Sequence, residues 1–282
     1  MTNKEKVSLN DIKEKKGKRQ PITMLTAYDY PSARLVDKAG MDIILVGDSL
    51  AMTVMGHTNT LAVTMDEIIH HCKMVARGAN HAFLVGDMPF MSYQSGARDA
   101  ILNAGRLLKE GGMEAVKLEG GGKMTDIVRA ISDCGISVMG HIGLTPQSVV
   151  KLSGYRVQGK SAESAKQLID DAMALQEAGC FAIVLESIPD AVAEIITMKL
   201  SIPTIGIGAG KHCDGQVLVF HDLIGFYQGP VPKFVKKYTD LNRIISTAVQ
   251  KYCEEVQTGK FPGRIHSFKM SKSELNKLNE LL

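Results

Sequence analysis

The chain has 282 residues, of which 45% are hydrophobic and 22% are charged, and its formal net charge is +3. This composition is too apolar for a disordered chain, and no apolar run reaches the roughly 18 residues that a membrane-spanning helix needs. The excess of basic residues lies at the two ends, so that residues 21–258 hold 21 Lys and Arg against 25 Asp and Glu. A slightly acidic body without tryptophan argues against nucleic-acid binding.

Strand and helix patterns alternate along the chain. The predicted strands are residues 22–27, 43–47, 82–86, 114–118, 136–140, 181–185, 203–207 and 223–226. The predicted helices are residues 64–77, 97–110, 124–134, 161–178, 189–199 and 240–257. About eight βα units without a linker predict a parallel sheet, and at this length they favour a (β/α)8 TIM barrel, an α/β fold. An open, doubly wound sheet is the alternative.

The two ends of the chain are expected to belong to the same domain, which spans residues 1–282. Residues 1–20 are predicted to form a helix that caps the bottom of the barrel, and residues 264–282 an amphipathic C-terminal tail with an extra helix. The N-terminal segment has no apolar stretch that would direct secretion, so we expect a cytoplasmic protein. Five scattered cysteines without a Cys-x-x-Cys pair predict reduced thiols, with no zinc site or disulfide framework.

Polar side chains stand where the predicted strands end, which is the position of the reactive groups in a TIM barrel. Within the fourth strand, Val116 and Leu118 alternate with Lys117 and Glu119, and the charged pair is expected to point inward because helices cover the outside. The complete set of strand-end candidates is Asp48, Ser49, Asp87, Lys117, Glu119, His141 and Glu186.

Three of these candidates suggest a metal site. The carboxylates of Asp48, Asp87 and Glu119 would repel one another on adjacent strands, and a divalent cation with oxygen ligands, Mg²⁺ rather than zinc, would relieve this repulsion. Lys117 would offer a positive charge to an anionic ligand, and the more distant Glu186 could act as a general base. Ordinary helix caps or loop acceptors, and a simple Lys117–Glu119 ion pair, are the structural alternatives.

Two further features indicate contacts with a ligand. His141 can donate a hydrogen bond to a developing oxyanion. The glycine-rich turn at residues 206–210 follows the seventh strand, where barrels often bind phosphate, but it lacks the usual dinucleotide-binding spacing. Phosphate binding and a close approach of the backbone to another ligand are equally compatible with this turn.

Several motifs resemble those of the ketopantoate hydroxymethyltransferase family over about residues 8–268. The motifs are TAYDY at 26–30, VGDS at 46–49, DMPF at 87–90, VKLEG at 116–120, GHIGLTPQS at 140–148, YRVQG at 155–159 and IGIGAG at 205–210. The resemblance implies a TIM barrel that uses Mg²⁺ and transfers a hydroxymethyl group from 5,10-methylenetetrahydrofolate to the 2-oxo acid 3-methyl-2-oxobutanoate. The product would be ketopantoate, in the first committed step of pantothenate synthesis.

The resemblance also implies roles for individual residues. The metal ligands would be Asp48, Asp87 and Glu119, the 2-oxo acid contacts Asp48, Ser49, Asp87 and Lys117, the proton acceptor Glu186, and His141 would lie near the substrate. A homo-oligomer, a decamer in the family, is implied as well. The alternatives are another Mg²⁺-dependent 2-oxo acid lyase or mutase of the phosphoenolpyruvate mutase and isocitrate lyase group, which would need an acidic cysteine such as Cys213, and a non-catalytic binding barrel.

Overall fold

Eight parallel strands close into a barrel in the computed structural model, which describes residues 5–151, 154–229 and 231–282. The strands are β1 Ile22–Thr26, β2 Ile43–Val46, β3 Phe83–Asp87, β4 Ala115–Glu119, β5 Ser137–Gly143, β6 Cys180–Glu186, β7 Thr204–Ile207 and β8 Gly215–Leu218. Each strand pairs with the next in sequence, and β8 pairs with β1, so no edge is left open. The predicted (β/α)8 barrel is confirmed, and the open sheet is excluded.

Helices surround the strands at nearly the predicted positions. They are α1 Leu9–Gly17, α2 Tyr30–Lys38, α3 Leu50–Thr53, α4 Met65–Gly78, α5 Ala97–Lys109, α6 Thr125–Asp133, α7 Ala162–Glu177, α8 Asp190–Lys199, α9 Phe220–Leu223, α10 Leu241–Gln257 and α11 Lys272–Leu281. The start of α4 was predicted correctly because it carries a capping box, in which the side chains of Thr64 and Glu67 each accept a hydrogen bond from the backbone N–H of the other residue. No helix among the described residues is both long and apolar enough to span a bilayer.

The prediction of the eighth strand at residues 223–226 was wrong. The strand lies at Gly215–Leu218, and the short helix α9 follows it. Among the described residues, no helix lies between β7 and β8, and the two strands are joined directly by a short loop. Asp214 fixes this loop, since its carboxylate accepts hydrogen bonds from the backbone N–H of Thr204 at 2.8 Å and from its hydroxyl at 3.1 Å.

The N-terminal helix α1 closes the amino-terminal end of the barrel, as predicted. Ile12 is fully buried in the same apolar cluster as the residues that fill the barrel interior. Lys15 pairs with Asp42 at 2.6 Å, and Lys16 pairs with Asp214 at 2.8 Å. Both acids directly precede a strand, so these ion pairs hold the helix against the end of the barrel opposite to the predicted site.

The extra C-terminal helix expected within residues 264–282 is present as α11, and it follows the long helix α10. Neither α10 nor α11 contains a buried residue. Both therefore lie outside the packed body of the described chain.

Candidate active site

A cavity of about 850 Å³ opens at the carboxyl ends of the strands. It is lined by every strand-end residue that the sequence singled out, namely Asp48, Ser49, Asp87, Lys117, Glu119, His141 and Glu186. Parallel strands in a closed barrel bring their carboxyl ends to one face, so residues from five strands meet there although they are far apart in sequence.

The floor of the cavity contains a buried ion pair between Lys117 and Asp87. Lys117 Nζ lies 2.7 Å from both carboxylate oxygens of Asp87 but 4.0 Å from Glu119. The main partner of the lysine is therefore Asp87, not Glu119 as the simple ion-pair alternative assumed. Burial alone would lower the pKa of Lys117, but the charges of Asp87 and Glu119 outweigh it and raise the pKa, which keeps the ammonium charged.

Negative charge exceeds what this lysine can neutralise. Asp48 is buried, and its backbone N–H donates to Asp87 Oδ2 at 3.2 Å. Burial raises the pKa of the Asp48 carboxyl well above its usual value, and the charges of Asp87 and Glu119 raise it further. Such a group is stabilised as an anion when a further cation comes close.

His141 stands between two carboxylates. Its Nδ1 lies 3.4 Å from Glu119 Oε1 and its Nε2 lies 3.2 Å from Glu186 Oε2, although neither contact has the angles of a hydrogen bond. Burial and the Lys117 charge lower the pKa of His141, but the two carboxylates outweigh them and raise it to about 9. We expected this ring to face an oxyanion, whereas the structure turns both of its nitrogens toward acids.

Sequence reasoning missed Gln147, the residue that ties the acids together. Its side-chain Nε2 donates to Asp48 Oδ2 at 3.0 Å, and its backbone N–H donates to Glu119 Oε2 at 3.0 Å. The hydroxyl of the buried Tyr93 donates to Gln147 Oε1 at 2.8 Å. Gln147 lies in the 3-10 turn Pro146–Ser148 after β5, where strand alternation gives no information, and only its place in the GHIGLTPQS motif pointed to it.

Ser49 is held by a second buried group. The Tyr28 hydroxyl and Ser49 Oγ lie 2.7 Å apart. Burial raises the pKa of Tyr28 to about 12, so the phenol stays protonated and can hold the serine in place.

Protein side chains pack closely against the glycines of the turn after β7. A Cβ atom at Gly208 would lie 2.6 Å from the Phe234 ring, and one at Gly210 would lie 2.5 Å from Asp190 Cβ. Side chains of the chain itself therefore make the close approach to these two glycines, and binding of a phosphate or another ligand at this turn stays a prediction. Phe234 in turn lines the cavity.

The donor atoms of the floor fit a hard cation that takes few protein ligands. Glu119 Oε1 is buried and has no hydrogen-bond partner among the described residues. No three His, Cys, Asp or Glu side chains within residues 5–151, 154–229 and 231–282 are grouped so as to hold a metal ion. Magnesium usually takes one or two carboxylates, with water and substrate as its other ligands, and these acids can supply them. The sharing of one ion by Asp48, Asp87 and Glu119 stays a prediction.

Comparison with known proteins identifies the family. The model of the ketopantoate hydroxymethyltransferase family matches residues 6–264. The chain belongs to this family. A 3-methyl-2-oxobutanoate hydroxymethyltransferase of Nitratidesulfovibrio vulgaris is 58% identical over 92% of this chain and 84% of its own length. The enzyme of the same name from Clostridium beijerinckii is 55% identical over 95% and 97%. The chain is therefore an enzyme, a hydroxymethyltransferase acting on small molecules, as the motifs implied.

Solved structures with low sequence identity share the fold of this family. Phosphoenolpyruvate phosphomutase from Streptomyces platensis covers 97% of the chain, and 96% of its own chain is covered, with a TM-score of 0.61 and 14% identity. A phosphonopyruvate hydrolase solved with oxalate and Mg²⁺ covers 96% of this chain, with 94% of its own covered, a TM-score of 0.57 and 12% identity. These likenesses establish the barrel architecture alone.

The lyase alternative required an acidic cysteine at the site. No cysteine is among the described residues that line the cavity. Cys213 instead packs against Gly206, and burial raises the pKa of its thiol to about 11. Because Cys213 does not line the cavity, it does not serve as the acid that the lyase alternative needs.

Proposed function

We propose that the enzyme transfers a hydroxymethyl group from 5,10-methylenetetrahydrofolate to 3-methyl-2-oxobutanoate and releases ketopantoate and tetrahydrofolate, with Mg²⁺ as cofactor and Glu186 as base. The observation that carries this proposal is the single cavity in which a partly exposed carboxylate, Glu186, faces a floor of buried acids around Lys117. A 2-oxo acid needs a cation beside its carboxylate, which Lys117 and a bound Mg²⁺ would supply, and a base beside its third carbon.

The 2-oxo acid would bind at the floor. The Lys117 ammonium, fixed by Asp87, balances the negative charge of the substrate carboxylate. The hydroxyl of Ser49, held by Tyr28, can hydrogen-bond to the same substrate. Because these groups are fixed before the substrate arrives, little ordering is required on binding.

The metal ion would be held by carboxylates of the set Asp48, Asp87 and Glu119, one or two of them directly, with water and substrate as its other ligands. When bound, Mg²⁺ would withdraw charge from the carbonyl of the 2-oxo acid and so acidify the neighbouring carbon. The phosphonopyruvate hydrolase that shares the fold was solved with oxalate and Mg²⁺, which supports this assignment by analogy of fold.

Glu186 would remove the proton from the third carbon of the substrate. Glu186 lines the cavity, and its Oε2 lies 3.2 Å from His141 Nε2. The methylene carbon of the co-substrate is bonded to two folate nitrogens. One of these bonds breaks as its nitrogen takes up a proton, and the enolate carbon then forms a bond to the methylene carbon. Water supplies the hydroxyl oxygen as the bond to the second nitrogen breaks, and that nitrogen takes up the remaining proton of the water.

The first prediction tests Glu186 directly. In Glu186→Gln, exchange of the carbon-bound proton of 3-methyl-2-oxobutanoate for deuterium should slow by about 10²- to 10⁴-fold, because the amide cannot accept the proton. Proton NMR in D₂O measures the exchange, and calorimetry should show retained binding of the 2-oxo acid.

Glu177→Gln is the matched control, since Glu177 is exposed at the end of α7, outside the cavity. Its exchange rate should equal that of the unmodified enzyme. Exchange at the normal rate in Glu186→Gln would remove Glu186 from the role of base.

A further inference from the structure

The cavity is larger than the 2-oxo acid requires. Its volume of about 850 Å³ is that of a pocket for a drug-sized molecule, for which roughly 300–1,000 Å³ is usual. Beyond the acidic floor, the outer wall is formed by Tyr155, Val157, Tyr227, Val231 and Phe234. This outer part is apolar and aromatic, and it is suited to a flat ring system.

One carboxylate interrupts this apolar wall. Asp222, in α9 directly after β8, lines the same cavity and is half-buried. Its Oδ1 is closed to solvent and accepts no hydrogen bond from the described residues. Burial raises the pKa of this carboxyl, although the Lys237 charge works against the rise. A buried acceptor without a donor is destabilising, so a ligand in the cavity that supplies N–H groups would be favoured once the Asp222 side chain turns this oxygen toward it.

A chain of contacts places Asp222 beside the substrate floor. The ring of the adjacent His221 lies 5.5 Å from the ring of Tyr28, centroid to centroid. The Tyr28 hydroxyl in turn contacts Ser49 at 2.7 Å. Since β8 pairs with β1 in the barrel, the carboxylate stands on the β8 side of the floor.

We propose that Asp222 binds the pterin ring of the folate co-substrate by accepting hydrogen bonds from its 2-amino group and the neighbouring ring N–H. This inference rests on the proposed function, because it names the group that holds the one-carbon donor. The pyrimidine edge of a pterin carries two parallel N–H donors, which match a carboxylate as the fork of an arginine does. Tyr227 and Phe234 provide aromatic surface for the flat ring.

The charged residues at the cavity mouth agree with a folate whose pterin lies inside the cavity and whose tail points outward. Arg156 and Lys233 line the cavity and are exposed. The glutamate tail of a folate carries carboxylates, which would meet these cations if the pterin lies inside and the tail points outward. The methylene carbon, which is attached next to the pterin, would then lie on the inner side toward the floor.

The test compares tetrahydrofolate with its analogue that lacks the 2-amino group, on the unmodified enzyme and on Asp222→Asn, by calorimetry. The unmodified enzyme should bind the analogue at least about tenfold more weakly, because a hydrogen bond to a charged group is lost. The Asn variant should bind tetrahydrofolate at least about tenfold more weakly and should no longer discriminate between the two. Its KM for 5,10-methylenetetrahydrofolate should rise correspondingly.

Deuterium exchange of 3-methyl-2-oxobutanoate is the folding check, because that step needs no folate. It should stay within about twofold of the unmodified rate in Asp222→Asn. Asp126→Asn, whose side chain is 95% exposed on α6, is the matched control and should leave both affinities unchanged. Equal binding of the two ligands by the unmodified enzyme overturns the inference even if the Asn variant does not fold. If the unmodified enzyme forms no ketopantoate and binds no tetrahydrofolate, it is the proposed function that fails.

Discussion

Gln147 shows how one neutral side chain can arrange several charged ones. Its two donors reach Asp48 and Glu119, and its acceptor is occupied by Tyr93. The Tyr93 hydroxyl also contacts the backbone of Glu119, at 3.1 Å. Hydrogen bonds from a neutral group therefore hold acids that would otherwise move apart. Metal-binding and catalytic residues are commonly positioned in this way by the groups behind them.

Replacing Gln147 by Leu should lower kcat/KM by about 10- to 100-fold, the range found for groups that orient metal ligands. The Mg²⁺ concentration needed for half-maximal activity should rise as well, because Asp48 loses its donor. Steady-state kinetics over a magnesium titration measures both quantities.

Gln167→Leu is the control for this substitution, since Gln167 is exposed on α7. It should leave kcat/KM and the magnesium requirement unchanged. An unaltered magnesium requirement in Gln147→Leu would contradict the positioning role.

Asp37 connects the end of α2, through hydrogen bonds, to the segment that leads into β3. Its carboxylate accepts hydrogen bonds from three successive backbone N–H groups, those of Asn80 at 3.0 Å, His81 at 2.9 Å and Ala82 at 2.8 Å. Burial would raise the pKa of Asp37, but these three donors outweigh it and lower the pKa. The contact thereby fixes where the third strand begins.

Asp37→Asn should lower the free energy of unfolding by about 1–3 kcal/mol at pH 7, because the isosteric amide turns donor hydrogens toward backbone N–H groups. Since the folded-state pKa lies below the unfolded one, the contribution of Asp37 is complete above the unfolded pKa, about 3.9, and is lost as the pH falls through the folded pKa. Urea unfolding at pH 7, 5 and 3 measures the difference, which should persist at pH 5 and shrink at pH 3.

Asp133→Asn, at an exposed position on α6, is the reference variant for this series. It should change the free energy of unfolding by no more than about 0.5 kcal/mol at pH 7. A difference between Asp37→Asn and the unmodified protein that is as large at pH 3 as at pH 7 would argue against a charge-dependent contribution.

The elements also show which parts of the molecule the sequence could predict. Seven strands follow from the alternation of strand and helix patterns along the chain. The inward direction of Lys117 and Glu119 follows from the alternation of side chains within β4, because helices cover the outside of the barrel. The eighth strand was missed because no helix separates it from β7. Gln147 and Asp222 were missed because both lie in short turns after a strand, where only long-range packing decides which way a side chain points.

In the whole molecule, α10 carries an apolar stripe that the described chain leaves largely exposed, with Phe261 packed against one of its residues, Tyr252. Ile245, Val249, Tyr252 and Val256 are between 37% and 60% exposed. Their spacing of four, three and four residues places them on one face of the helix, as in helices that pack against a partner helix. A contiguous apolar face of this kind is typical of an interface, and the family resemblance implied a homo-oligomer.

We therefore expect the enzyme to associate with itself through this stripe. Val249→Glu places a charge at the middle of the stripe and should lower the molar mass measured by light scattering after size-exclusion chromatography, because burying an unpaired carboxylate in an interface is costly. Gln250→Glu adds the same charge at a neighbouring exposed position outside the stripe and should leave the mass unchanged. An unmodified protein that runs as a monomer at micromolar concentration, or equal masses for the two variants, would show that the stripe is no self-association surface.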